Sequence, residues 1–414
     1  MAVYGIIAEY NPFHNGHAYQ LAKLRALDPD AEFICVMSGS FTQRGEAAIL
    51  DKWQRAALAI SGGADLVLEL PFAFAVRSAQ HFASGGTALL DRLGLVDFLS
   101  FGSECADAAQ LEKAATAAES PEISAKLRTG LHAGLPYAAA MSQAVAALTG
   151  MNEAALRQPN TILAIEYLRS LQRLHSPIRP LPIERKAAAY HDTTIRQDIA
   201  SASAIRQELS RPQPDTALLA QALPPASLQA LSQAAGLPVM EHLLRPLLLA
   251  IYEATPIGLQ QIYGIREGIE HKILAAAAKS ASLAELAANI RSRRYPLSSI
   301  QRLFLHLLLR VSAEEIQRMD ASGPLYGRVL AMNANGCGLL RHCKHTASIP
   351  LITKTSQFLT TTAREQPATL TPLQQMLALD TRATALYGLC FERPASPRMD
   401  FTTSPIVLPR TGRQ

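Results

Sequence analysis

Short apolar runs alternate with amphipathic stretches through the first hundred residues of the chain. Four of the runs have the length and continuous hydrophobicity of buried strands, and the stretches between them have the period of a helix. The predicted strands are 2–10, 31–39, 64–72 and 96–104, and the predicted helices are 16–27, 51–63 and 78–94. Apolar strands separated by helices are typical of a parallel sheet that is covered on both faces. The pattern therefore predicts an α/β fold.

Beyond residue 105 the pattern becomes mainly helical. Residues 106–158 are rich in alanine and predict a helical insertion, and 160–171 continues as an amphipathic helix. Residues 177–185 form a fifth candidate strand, and a helix led by serine is predicted at 201–209.

The rest of the chain shows one further change of pattern. Residues 212–341 have leucine and alanine periodicity and are predicted to be helical throughout, whereas 350–362 is a candidate strand. We therefore predict an α/β domain over 1–210, a mainly α-helical domain over 211–360 and a basic C-terminal segment over 361–414.

Composition narrows the class of protein. The chain has 414 residues, of which 49% are hydrophobic, so it is globular and long enough for more than one domain. Its net charge is +5, and the segment 341–414 alone carries nine Lys and Arg against four Asp and Glu. This excess at the C-terminal end mildly favours a polyanionic partner such as nucleic acid.

Neither a membrane span nor a disulfide framework is predicted. No apolar run reaches the roughly eighteen residues of a spanning helix, and the N-terminus lacks the pattern of a cleaved signal, so we expect a cytoplasmic protein without a membrane partner. The five cysteines are scattered, and the spacing of Cys337, His342, Cys343 and His345 is not a recurrent zinc pattern. We predict no metal site there.

The stretch AEYNPFHNGH places His14 and His17 where the first strand gives way to the first helix. Ligands of a parallel sheet bind at the carboxyl ends of its strands, and a helix N-terminus there stabilises a phosphate. Two imidazoles add donors to the same anion, while Gly16 lets a phosphate approach the backbone. The corner suits attack at an α-phosphate, which needs stabilisation of charge more than covalent chemistry. An ordinary turn is the alternative interpretation.

The corner, together with SASAIR at 201–206, resembles the signatures of the nucleotidylyltransferase superfamily, H-x-G-H and a late S-S-T-x-I-R. Further runs occur in the order found in the tRNA(Met) cytidine acetate ligase family: SGSFTQRGE, DKWQRA, GADLVLELPF, FGSE, PNTILAIEYL and RRYPLSSIQRL. The resemblance extends to about residue 310, with alanine in place of the second serine in SASAIR. It implies a Rossmann-like nucleotidylyltransferase domain followed by a mainly α-helical C-terminal domain.

The resemblance also implies the activity. The family activates acetate with ATP as acetyl-adenylate and transfers the acetyl group to N4 of the wobble cytidine of elongator tRNA(Met), forming N4-acetylcytidine. ATP, acetate and this tRNA are thus the expected ligands, with Mg²⁺ as the counterion of ATP, and no stable protein partner is implied.

The resemblance implies catalytic contacts of His14 and His17 with the α-phosphate. The ATP site would comprise Ile7, Ala8, Glu9, Tyr10, Asn11, Pro12, Phe13, His14, Asn15, Gly16, His17, Ala18, Tyr19, Gln20, Gly102, Asn160, Arg185, Ser203 and Arg206. Ser203 would cap the helix that closes over the outer phosphates. Without the resemblance, the favoured interpretations are a turn glycine for Gly102, a helix cap for Asn160 and a solvated charge for Arg185.

Contacts to acetate and tRNA are less closely defined. Arg44 and Glu46 are candidates for either ligand, because their loop follows the second strand. The arginines at and after the RSRRY run are candidates for tRNA phosphates: Arg291, Arg293, Arg294 and Arg302. Two other functions stay open on the residues alone. One is a small-molecule nucleotidylyltransferase or carboxylate-adenylating synthetase that uses the same corner, and the other is a nucleotide-dependent RNA-binding protein without catalysis.

Overall fold

A computed structural model describes residues 1–185, 195, 200–266 and 268–409. These residues form one eight-stranded mixed sheet with the order β5-β4-β1-β2-β3-β6-β7, in which β8 also pairs with β6. The strands are β1 (Val3–Ala8), β2 (Glu32–Ser38), β3 (Leu66–Leu70), β4 (Phe98–Ser103), β5 (Arg179–Glu184), β6 (Gly327–Met332), β7 (Leu351–Ile352) and β8 (Ile406–Val407).

The first five strands are parallel and confirm the predicted α/β fold. The chain runs from β1 through β2 to β3 in one direction and then crosses back, so that β4 lies on the other side of β1. A ligand crevice is expected at such a reversal of strand order, outside the carboxyl ends of the strands. The crevice between β1 and β4 is therefore where the fold favours a bound nucleotide.

Helices cover the two faces of this sheet because successive strand side chains point to opposite sides. Ile7, Val36 and Leu68 pack into the core on one face, and Ile6 and Cys35 into the core on the other. The helices that follow the first three strands are α1 (Asn15–Leu27), α2 (Lys52–Ser61), α3 (Phe72–Ala75) and α4 (Ala79–Arg92).

The predicted insertion is helical. It consists of α5 (Ala108–Glu119), α6 (Ile123–His132), α7 (Tyr137–Thr149) and α8 (Glu153–Leu156), and α9 (Pro159–Leu174) then packs beside α4 and α5. After β5, the segment that covers the α1 and α2 face contains α10 (Ala202–Leu209), α11 (Thr216–Ala222) and α12 (Pro225–Ser232).

A third core lies among the helices that follow. These are α13 (Leu244–Tyr252), α14 (Pro256–Gln260), α15 (Ile269–Ala277), α16 (Leu283–Ile290) and α17 (Leu297–Leu308). The 3₁₀ helix Met240–Leu243 before them and α18 (Ala313–Ser322) after them pack instead into the core that contains Ile7. The remaining helices are α19 (Ala334–Thr346), α20 (Thr355–Phe358), α21 (Thr361–Glu365), the 3₁₀ helix Pro367–Thr369, α22 (Pro372–Gly388) and α23 (Met399–Thr402). Within the described part of the chain, no helix is both long and apolar enough to cross a bilayer.

The prediction that 212–341 is helical throughout was wrong at β6. Residues Gly327–Met332 pair antiparallel with β3 and so extend the N-terminal sheet. Pairing with an open strand edge outweighs the leucine-rich context in this short apolar run. The candidate strand at 350–362 is also much shorter than predicted, since only Leu351–Ile352 pairs and α20 begins at Thr355. The predicted domain boundaries at 210 and 360 stay a prediction. The sheet contains strands from all three predicted segments, 1–210, 211–360 and 361–414.

A buried ion cluster fastens the C-terminal segment to the sheet. Lys52 Nζ lies 2.7 Å from Glu69 Oε1 and 2.7 Å from Asp400 Oδ1. Arg328 on β6 pairs with the same two carboxylates, at 3.2 Å from Glu69 and 2.5 Å from Asp400. All four side chains are at most 4% exposed, and Trp53 packs against both cations. The cluster thus joins α2, β3, β6 and α23 through two positive and two negative charges.

Candidate active site

The turn after β1 brings the two histidines together at the start of α1. His14 is the N-cap of α1: its Nδ1 accepts a hydrogen bond from the backbone N–H of Gly16 at 3.0 Å. The backbone N–H of His14 in turn donates to Nδ1 of His17 at 3.2 Å. This reciprocal capping stacks the two rings with their centroids 3.8 Å apart. The order His-x-x-His at a helix start therefore fixes both imidazoles in one corner.

Hydrogen bonding and burial set the protonation of both rings. An imidazole nitrogen that accepts a hydrogen bond carries no proton, so each neutral ring holds its proton on Nε2. Burial, assisted by Arg185 and Arg206, lowers the pKa of His14 to about 3, and burial and His14 lower the pKa of His17 well below its usual value. At neutral pH the corner therefore presents two neutral Nε2–H donors.

A cavity of about 290 Å³ opens above this corner at the carboxyl ends of the strands. Most of the predicted ATP-site residues line it: Ile7, Ala8, Glu9, Tyr10, Asn11, His14, Gly16, His17, Tyr19, Gln20, Gly102, Asn160, Arg185, Ser203 and Arg206. Four predicted residues, Pro12, Phe13, Asn15 and Ala18, are not among its lining residues. Phe13 is buried against Gly62, and Asn15 donates to the backbone of Gln221, because the turn and helix direct their side chains elsewhere.

One side of the cavity is built by β4, β5 and the start of α9. A Cβ on Gly102 would lie 3.2 Å from Cγ of Arg185, so the arginine crosses directly over the glycine. Glu104 accepts hydrogen bonds from Asn160 Nδ2 at 2.6 Å and from the backbone N–H of Thr161 at 2.9 Å. Glu104 thus caps the start of α9 and fixes the orientation of the Asn160 side-chain amide. The geometry places a cation and an oriented amide next to the β1–β4 crevice.

The helix start at α10 differs from the prediction in its capping residue. Ser201, not Ser203, is the N-cap, because its hydroxyl accepts from the backbone N–H of Ala204 at 3.0 Å. Ser203 is the second residue of the helix and still lines the cavity. Arg206 reaches back to donate to the backbone oxygen of Asn11 at 2.9 Å. A helix N-terminus and an arginine therefore face the histidine corner, an arrangement that suits a polyphosphate.

Comparison with known proteins agrees with this geometry. The family model described as HIGH nucleotidyl transferase matches residues 1–400. Proteins named tRNA(Met) cytidine acetate ligase match nearly the whole chain: the one from Syntrophomonas wolfei is 37% identical over 98% of this chain and 99% of its own. The one from Acetivibrio thermocellus is 36% identical over 99% and 100%. The chain belongs to the tRNA(Met) cytidine acetate ligase family.

A solved structure extends the likeness to three dimensions. Thermotoga maritima TmcAL bound with α-thio ATP has a TM-score of 0.88 to this chain and 31% sequence identity, covering 99% of this chain and 100% of that one. The apo form of the same protein gives the same values. The family, and the fold that the sequence resemblance implies, are therefore confirmed.

In this member of the tRNA(Met) cytidine acetate ligase family, the other side of the cavity is the loop after β2. Arg44 and Glu46 both line the cavity, and Glu46 pairs with Arg206 at 3.1 Å. The conformation of the loop depends on Gly45, whose φ is +83° and whose Cβ would lie 2.6 Å from the backbone nitrogen of Arg302. Arg302 therefore lies behind the cavity loop, and its Nη1 donates to the backbone oxygen of Gln43 at 3.2 Å.

The four arginines predicted to bind tRNA occupy different surroundings. Arg291, Arg293 and Arg294 are exposed at the start of the segment that leads into α17, and Arg293 lies beside Gly134, between α6 and α7. Arg302 is half-buried, and burial together with Arg44 lowers its pKa to about 10. In the part of the chain that the structure describes, no carboxylate lies within 4 Å of Arg302.

Eleven cavity residues were not predicted from the sequence: Gln43, Ala79, Phe82, Phe101, Pro159, Leu163, Tyr167, Ile183, Glu184, Ser201 and Ala202. Most are apolar positions on strands and helices that are indistinguishable in sequence from core positions. The hydroxyl of Tyr167 is buried in the described structure without a hydrogen-bond partner. In the sequence, a tyrosine on the otherwise apolar face of α9 could have indicated a ligand site, because a buried tyrosine hydroxyl usually has a hydrogen-bond partner.

Proposed function

We propose that this chain is an ATP-dependent ligase that activates acetate as acetyl-adenylate and transfers the acetyl group to N4 of the wobble cytidine of elongator tRNA(Met). The observation that carries the proposal is the histidine corner within a chain that matches proteins of this name along its whole length. Because the proposed substrate is a tRNA, the proposal includes a cytoplasmic location.

The corner supports the first half-reaction. ATP lies in the β1–β4 crevice with its α-phosphate at the Nε2–H donors of His14 and His17. Attack by an acetate oxygen forms the acyl–phosphate bond and releases pyrophosphate, while the charge on the pentacoordinate phosphorus is stabilised by donors already in place. The outer phosphates face Arg185, Arg206 and the N-terminus of α10.

Mg²⁺ enters this scheme as the counterion of the triphosphate. Among the described residues no group of three or more His, Cys, Asp or Glu side chains is arranged to hold a metal. Phosphate oxygens and water therefore supply most of its ligands, as is usual for Mg²⁺ bound with a nucleotide. The metal then contributes charge neutralisation.

The second half-reaction needs a polynucleotide at the cavity mouth. Arg44 lines the cavity and Arg302 lies behind the same loop, which supports assigning both to a phosphodiester next to the target cytidine. Arg291, Arg293 and Arg294 add a more distant basic surface beside the turn between α6 and α7. Single-stranded anticodon bases are accessible to such a site because they can be splayed out of their stack.

The test is incubation of the protein with ATP, labelled acetate and tRNA, followed by digestion to nucleosides. We expect labelled N4-acetylcytidine in elongator tRNA(Met), and loss of the product with His14→Ala or His17→Ala while both variants keep the fold. Acetyl-CoA in place of ATP and acetate should give no product. Folded protein that forms no N4-acetylcytidine would refute the proposal, and release of pyrophosphate without tRNA acetylation would favour a small-molecule synthetase.

A further inference from the structure

Glu9 lies in the segment predicted to bind ATP, but the first half-reaction proposed above gives its carboxylate no part. It follows β1 directly and lines the cavity on the side of the β2 loop, where its Oε1 accepts a hydrogen bond from the backbone N–H of Gln43 at 2.5 Å. Its backbone oxygen accepts from Nη1 of the buried Arg55 at 2.5 Å. Hydrogen bonds to the carboxylate and to the backbone oxygen therefore fix the position of Glu9. Among the described residues, no side chain or backbone group donates to its other carboxylate oxygen, Oε2.

The surroundings of Glu9 exclude a role in holding phosphate. A carboxylate is an acceptor only and repels a triphosphate, so Glu9 itself offers no hydrogen bond to a phosphate oxygen. The charged and titratable groups that face Glu9 are Arg206, Glu46, Arg55 and the hydroxyl of Tyr167. Arg206 is shared with Glu46, and the guanidinium of Arg55 is engaged with backbone oxygens. Glu9 is thus left as a hydrogen-bond acceptor at the edge of the cavity.

The transfer of an acetyl group to cytidine needs such an acceptor. The exocyclic N4 amine of cytosine is weakly basic, and its nitrogen must lose a proton when it becomes an amide. The proton has to leave toward a base that lies beside the acyl carbon, since proton transfer by a positioned carboxylate speeds such steps. The two histidines are unsuited to this role because their protonated nitrogens face the phosphate and their Nδ1 atoms already accept hydrogen bonds.

We propose that Oε2 of Glu9 accepts the N4–H of the target cytosine and takes its proton during acetyl transfer. This inference rests on the proposed function. In the step, N4 forms a bond to the acetyl carbonyl carbon, the bond between that carbon and the phosphate oxygen breaks, and AMP leaves with the electron pair. One N4 proton passes to Glu9 and then to water. Burial raises the pKa of Glu9, which improves it as a proton acceptor, while Gln43 and Arg206 oppose the rise.

The test separates the two half-reactions with Glu9→Gln, which keeps the shape of the side chain. Acetate-dependent exchange of pyrophosphate into ATP, which needs no tRNA, reports any effect of the substitution on ATP binding or acetate activation, and its loss should be at least about tenfold smaller than the loss of transfer. Transfer from synthetic acetyl-adenylate to tRNA should fall by about 10²-fold or more. Hydroxylamine, a nucleophile that needs no enzymatic base, should intercept the bound adenylate equally well in both proteins.

Glu46→Gln is the matched control, because Glu46 is a cavity carboxylate that pairs with an arginine of the ATP site. Its loss of exchange should be at least as large as its loss of transfer, whereas Glu9→Gln should lower transfer far more than exchange. The acid limb in the pH dependence of transfer should be present in the wild type and absent in Glu9→Gln. Equal losses of exchange and transfer would overturn the inference and assign Glu9 to ATP, and unchanged transfer would also overturn it. A wild-type protein that acetylates no tRNA would instead refute the proposed function itself.

Discussion

Replacing Lys52 with methionine is expected to destabilise the protein by about 3–5 kcal/mol at pH 7, because it leaves a buried charge without its partner. In the native cluster, Lys52 Nζ contacts Glu69 at 2.7 and 2.9 Å, Asp400 at 2.7 Å and the hydroxyl of Thr384 at 3.0 Å. With Lys52 removed, Arg328 alone faces two carboxylates that are at most 3% exposed. The cluster then carries a net charge of −1 in the core.

The pH dependence has a defined sign. In the wild type, Lys52 and Arg328 hold the pKa of Asp400 below its usual value although burial acts to raise it, so this group stabilises the fold above about pH 4 and the stabilisation is lost on further acidification. In Lys52→Met, one carboxylate of the cluster has a raised pKa, and the resulting penalty is present at high pH and relieved as the pH falls. The difference between variant and wild type should therefore be smaller at pH 5 than at pH 8.

The assay is chemical unfolding followed by fluorescence of Trp53, the single tryptophan of the chain, which packs on Lys52 and Arg328. Lys52→Met with Glu69→Gln removes one charge of each sign and should recover a large part of the loss. Methionine at the exposed Lys279 should change stability by less than about 0.5 kcal/mol. A loss below about 1 kcal/mol for Lys52→Met, or a second substitution that adds to the loss, would refute the reasoning.

Three further predictions concern the cavity. Gly102→Ala should raise the KM for ATP in pyrophosphate exchange, because the new methyl group displaces the side chain of Arg185, whereas an unchanged KM would show that this arginine does not contact ATP. Since burial depresses the pKa of both site histidines, the folded protein should keep them neutral, and its stability should fall as the pH drops below about 6.5 by up to about 1.4 kcal/mol per unit for each ring. Replacing His14 with asparagine should reduce that slope, and the ring resonances of His14 and His17 should not titrate between pH 8 and 5 in the ligand-free protein. Arg302→Gln should reduce the slope of log affinity for tRNA against log salt by about 1, as measured by filter binding, and an unchanged slope would exclude a phosphate contact.

The parallel half of the sheet was predictable because its pattern is repeated and local. Each of the first four strands lies within its predicted run, and the histidine corner falls at the junction where strand and helix patterns meet. The strand β6 was not predictable from its own six residues, since its pairing partner β3 lies more than 250 residues earlier in the chain. The break at Gly323 and Pro324 and the helix cap at Asn333 frame it, but both also fit a turn between two helices.

The candidate site was predictable where a residue type is unusual for its position. Two histidines on a bend, a glycine near the end of β4 and an arginine after β5 are unexpected in a core, and all of them line the cavity. Phe82 and Tyr167 line it as well, but each occupies an apolar face that a core would fill with the same residues. Ser201 and Ser203 both satisfy the residue preference of an N-cap, so only the hydrogen bond to the backbone of Ala204 distinguishes them.

The pairing of β6 with β3 has a consequence for synthesis on the ribosome. The strands β1 to β5 are all translated before β6, so β3 is an open sheet edge in the growing chain. At that stage Lys52 and Glu69 lack their later partners Arg328 and Asp400. An open edge of this kind invites pairing with other chains. The half of the protein that carries the histidine corner is therefore expected to complete its fold only when nearly the whole chain has been made, and a fragment ending near residue 210 is expected to aggregate.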